Sequence, residues 1–66
     1  MTFEEMILDA ISKKGEEGAT MIDIYNETGI GFDMISQKVE KLIVEGKVRD
    51  LFPDKKKKFS RYVQCD

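Results

Sequence analysis

Sixty-six residues, 41% of them hydrophobic, suffice for one domain near the lower size limit at which a chain folds without a staple. One cysteine (Cys65) and no histidine exclude an internal disulfide framework and the usual zinc-ligand sets, and no apolar run is long enough to span a bilayer or to act as a signal peptide. The net charge of −2 is unevenly spread: residues 1–33 carry eight acids against Lys13 and Lys14, a balance of −6, whereas residues 34–66 carry nine bases against five acids, a balance of +4. A molecule so divided has a basic end that can face a polyanion and an acidic half that repels one.

In chain order, Thr2 and Glu5 stand at the reciprocal capping-box spacing, and Phe3, Met6, Ile7, Ala10 and Ile11 then recur at helical intervals. Lys13 and Lys14 suit the negative end of the helix dipole and Gly15 ends it, which predicts a first helix over residues 3–14. A short polar connection follows, with a brief strand at Ala19. Thr20 caps a second helix over 21–28, helped by Asp23, with Met21 and Ile24 inward and Tyr25 at their flank. Ile30 is expected to plug the core between helices, and Gly31 stands where a capping serine or aspartate is usual.

A third helix is predicted over 32–45, with Ile35, Val39, Leu42 and Ile43 as its buried stripe and Gly46 closing it. Beyond Gly46 the residues turn to valine, aromatics and alternating charge. This pattern predicts hairpin strands over 47–52 and 58–64, with Pro53-Asp54 in the turn and lysines at the tip. Val48 and Phe52 share a face with Asp50 while Leu51 points away, a phase that a bulge near Asp50 would reconcile. No repeat or linker divides the chain, so residues 1–66 read as a single α+β domain.

Three helices, a tight turn between the second and third, and a terminal hairpin form the winged-helix order. The stretch Ala19-Thr20-Met21-Ile22-Asp23-Ile24, then Thr28-Gly29-Ile30, Ile35, Val39, Leu42 and Glu45-Gly46-Lys47-Val48, resembles the core pattern of the winged helix-turn-helix superfamily over nearly the whole chain. Leu42 to Val48, followed by Phe52-Pro53 and a basic strand, is similar to the C-terminal winged helix of archaeal minichromosome maintenance helicases, where the domain is an accessory to the motor. The opening Ile7 to Thr20 also resembles the domains that bind left-handed double helices. Ser36 and Glu40 depart from the asparagine and tyrosine of their recognition helix. The superfamily includes transcription regulators, replication factors and protein-docking modules, so the fold leaves function open.

The strongest functional signal is Lys55-Lys56-Lys57-Lys58 with Arg61 nearby, a basic wing able to reach a minor groove or a phosphate backbone. The same lysines would also keep an exposed edge soluble. On the third helix Gln37 can pair with adenine, and Lys38 and Lys41 can assist at phosphates, but Asp33 and Glu40 oppose a duplex and no arginine is present. The expected partner is duplex DNA, bound mainly by the wing with the acidic first helix turned away. A second reading rests on Ile22, Phe32, Met34 and Val44, which exceed what so small a core needs and would form a docking patch for a protein partner or parent complex. No nucleophile motif, Walker-type loop or distinguished acid–base pair is present, so neither catalysis, nor a cofactor, nor a metal, nor a small-molecule substrate is expected. An intracellular setting, cytoplasmic or nucleoid, is expected from the cysteine usage.

Overall fold

Two reciprocal caps set the starts of the first two helices. The Thr2 hydroxyl accepts from the Glu5 amide at 3.2 Å and the Glu5 carboxylate accepts from the Thr2 amide, opening α1 (Phe3–Lys14). Thr20 and Asp23 repeat the arrangement at 3.1 and 3.0 Å, opening α2 (Met21–Thr28). Each pair satisfies amides that a helix start leaves without partners. In the computed structural model, which describes residues 1–65, α3 (Phe32–Val44) follows Gly31 with no side-chain cap. The strands β1 (Val48–Asp50) and β2 (Tyr62–Gln64) then pair antiparallel, Val48 opposite Gln64 and Asp50 opposite Tyr62. The fold is therefore α+β, three helices followed by a two-stranded sheet. The domain expected over 1–66 takes in Asp66, which lies outside the described residues.

The three helices bury Ile7, Ile11, Ile24, Ile35, Val39 and Leu42 against one another, Ile30 fills the gap at the α2–α3 turn, and Val48 and Tyr62 close the core from the hairpin. Ala19 does form a brief strand contact. Its amide donates to the Tyr62 carbonyl at 2.8 Å and its carbonyl accepts from the Tyr62 amide at 2.9 Å. Gly18 makes that approach possible: its φ is +83°, and a Cβ there would lie 2.9 Å from the Arg61 Cβ.

Several expectations are corrected. Ile43 is exposed, because the buried stripe of α3 ends at Leu42, and α3 itself stops at Val44 rather than Glu45. The strands are shorter than 47–52 and 58–64. The regular ladder covers Val48–Asp50 and Tyr62–Gln64, and a single bond extends it at each end, from the Cys65 amide to the Lys47 carbonyl at 2.8 Å and from the Leu51 amide to the Arg61 carbonyl at 2.9 Å. No bulge relieves the phase problem at Asp50, where the ladder is regular. The inward Asp50 carboxylate is satisfied instead by the buried Ser60 hydroxyl and by the Phe52 amide at 2.9 Å. Among the described residues no helix is long and apolar enough to cross a membrane.

Candidate nucleic-acid interface

The candidate interface is set by what the hairpin connection, residues 51–61, does with its lysines. It does not project as a bare tip. The Lys55 amide donates to the Phe52 carbonyl at 3.0 Å, Lys57–Phe59 wind into a single 3₁₀ turn, and the buried Tyr62 hydroxyl donates to the Lys57 carbonyl at 3.0 Å. These bonds draw the lysine run back against α2 and α3. Burial, with the charges of Asp50 and Glu40 adding to it, pushes the Tyr62 phenol up to about 12. It therefore stays a donor at any ordinary pH.

The ion pairs show which cations are left over. Lys13 binds Glu27 at 2.7 Å and Asp9 at 3.4 Å, Lys14 faces Asp23, and Lys47 faces Glu45. Lys41 and Lys38, expected to help at a polyanion, lie 2.8 and 3.7 Å from Glu4 of α1. The hydrogen bond from Lys41 holds the Glu4 carboxyl below the usual carboxylate range and raises the Lys41 ammonium. The basic half of the chain thus neutralises part of the acidic half. Of the four wing lysines, Lys57 pairs with Glu40 at 2.9 Å. Among the described residues the side-chain cations without an ion pair are Arg49, Lys55, Lys56, Lys58 and Arg61, and all of them belong to the hairpin. Arg61 is engaged elsewhere, its guanidinium donating to the Gly18 carbonyl at 3.3 Å.

The exposed charged and polar residues of α3 are Asp33, Gln37, Glu40 and Lys41, and Lys41, the one cation among them, is the lysine paired with Glu4. Two of the four are carboxylates, and Gln37 is the only neutral polar group.

The apolar residues divide. Ile22 (55% exposed) and Phe32 (46%) line one groove of about 590 Å³ with Ser36, Phe59 (62%) and the lysines from Lys56 to Lys58. Phe32 also leans on Tyr25, ring centroids 5.2 Å apart. Met34 instead folds onto the core, and Val44, 85% exposed, stands about 18 Å farther along the helix from Phe32. The four therefore do not make one patch.

Two residues of this surface were not singled out from the sequence. The Lys55 ammonium sits 4.8 Å from the ring centre of Phe52, and the Lys58 ammonium 5.5 Å from that of Phe59. The signal was present as two phenylalanines bracketing the lysine run. No group of three or more potential metal ligands occurs among the described residues. Comparison with protein-family models, with curated proteins and with solved structures finds no match to this chain.

Proposed function

We propose that the chain is a non-enzymatic winged-helix domain that holds nucleic acid through the lysine-bearing connection of its hairpin, in a transcription or replication setting. The observation that carries this reading is that, among the described residues, the unpaired side-chain cations all lie on the hairpin, while the lysines of the helical body are committed to carboxylates. Binding led by Lys55, Lys56 and Lys58 is a backbone interaction, tolerant of sequence, because α3 offers a polyanion two carboxylates and no arginine. Fluorescence anisotropy with labelled DNA across salt tests it. Three phosphate contacts on a duplex give a log–log slope of about −2.7. Replacing Lys55, Lys56 and Lys58 together by glutamine should remove most of the affinity for every sequence alike. Unchanged affinity in that variant would sink the reading.

A second reading is favoured by the groove at Ile22 and Phe32, which suits a protein-docking module of a larger assembly. Chemical-shift changes confined to those residues on adding a partner complex, with no response of the lysine connection, would support it over the first.

A further inference from the structure

We propose that this interface selects single-stranded over duplex nucleic acid, with an unpaired base laid against Phe59 and its flanking phosphates held by Lys55, Lys56 and Lys58. The inference rests on the nucleic-acid reading above and gives it a substrate class. Three observations carry it.

The first is the charge on α3. A helix enters a duplex groove flanked on both sides by phosphates, and here Asp33 and Glu40 stand exposed on the helix that would enter. A single strand needs no helix insertion and can pass beside α3 along the lysine connection.

The second is the pairing of cations with exposed aromatic faces. Phe52 is 42% exposed and Phe59 62%, each with a lysine ammonium at its ring. A strand presents a charge and a flat apolar base in every nucleotide, so a lysine run bracketed by two phenylalanines meets both. A duplex hides its base faces in the stack and offers such rings nothing.

The third is the groove beside Phe59. Its volume of about 590 Å³ falls within the range of small-ligand clefts. Ile22 and Phe32 supply apolar wall for a base face, and Ser36 and Asp33 supply a hydroxyl and a carboxylate for a base edge. Asp33, the one carboxylate lining the groove, repels phosphate but accepts from an exocyclic amine. A base in the groove with its phosphates outside, among the lysines, fits that distribution of charge.

The experiment compares a labelled single strand of about twelve nucleotides with a duplex of the same length, by anisotropy on the full chain at low salt. The single strand should bind more tightly, with a log–log salt slope of about −2 for three contacts. Phe59→Ala should weaken single-strand binding by about 5-fold to 150-fold, the usual worth of one stacked base, and leave duplex binding within about two-fold. Because Phe59 is exposed, that variant keeps its fold, which circular dichroism checks. Phe59→Trp should retain binding and lose indole fluorescence as the strand is added. Duplex binding equal to or tighter than single-strand binding, with Phe59→Ala silent, overturns the inference and leaves the lysine-led reading standing. Failure of both nucleic acids to bind, with an acidic amphipathic peptide shifting Ile22, Phe32 and Phe59 instead, overturns both.

Discussion

Gly18 is where the hairpin meets the helices most closely, and substituting it isolates the cost of that junction. Its backbone, φ +83° and ψ 156°, lies in a region that residues with a Cβ almost never occupy, at a cost of about 1–3 kcal/mol. Alanine there also places its methyl 2.9 Å from the Arg61 Cβ and 3.3 Å from both the Leu51 Cδ1 and the Tyr62 carbonyl oxygen. Two of those three neighbours are held by the sheet, so the overlap is not relieved by a rotamer change and adds about 1–3 kcal/mol. A domain of this length has about 3–10 kcal/mol of total stability. Gly29 is the control: its φ is +75° in the ordinary left-handed region and nothing lies within 4 Å of a built Cβ, so alanine costs only about 1 kcal/mol there. With about 4–8 °C lost per kcal/mol, Gly18→Ala should melt at least about 10 °C below the parent or fail to fold, and Gly29→Ala about 4–8 °C below it. Thermal unfolding followed by circular dichroism reads both. Equal losses in the two variants would refute the claim that close approach, rather than backbone conformation alone, selects glycine at position 18.

Thr20→Ala removes the cap that α2 shares with Asp23 and should lower stability by about 1 kcal/mol, read from the urea midpoint. The Asp23 carboxyl is held below its ordinary value, chiefly by the Thr20 amide, so the unfolded chain takes up that proton first as the solution is acidified. Its contribution is complete above about pH 4 and is lost as pH falls through the folded value; the stability gap between the parent and Asp23→Asn should therefore narrow from pH 7 to pH 3. At the alkaline end the sign reverses for Tyr62: the unfolded phenol ionises near 10 and the folded one at about 12, so stability falls as pH rises between them. Absorbance at 295 nm in a Tyr25→Phe background should show no folded-state ionisation near pH 10. Glu40→Gln releases Lys57 and removes an acid from the binding side, so it should tighten single-strand binding and steepen the salt slope by about 0.7. Unchanged binding would mean that Lys57 takes no part.

The helix starts were legible because they are local. Thr2–Glu5 and Thr20–Asp23 are each closed within four residues, and the structure makes both pairs of bonds. Ile7, Ala10 and Ile11 of α1 and Met21 and Ile24 of α2 followed from periodicity for the same reason, whereas Phe3, on the same spacing in the first turn of α1, is 49% exposed. Ile43 was misplaced because it lies one position past Leu42, where helical spacing still points inward but α3 has run beyond what it packs against. The strand ends were overdrawn because composition does not reveal that Asp50 and Ser60 close the sheet with a side-chain bond. At the interface, the lysine run was visible as a run, but its accessibility was not. Whether Lys38, Lys41 and Lys57 are available depends on Glu4 and Glu40, which are distant in sequence or brought close only by the folded connection. The groove at Phe59 depends likewise on the bond from Tyr62 to the Lys57 carbonyl, a tertiary event with no spacing signature.

The pairing of Tyr62 with both Ala19 and Asp50 governs how the domain opens. Both of its main-chain bonds go to Ala19, it stands opposite Asp50 in the ladder, its ring sits in the core, and its hydroxyl holds the lysine connection. The hairpin therefore has no route to detach as a separate unit: releasing β2 empties the centre of the helical body. Amide exchange at Ala19 and Tyr62 should accordingly proceed only through complete unfolding, alongside the slowest amides of α1 and α3. Any polyanion that grips the connection is linked through this one residue to the whole domain, and its binding free energy should appear undiminished as a higher melting temperature.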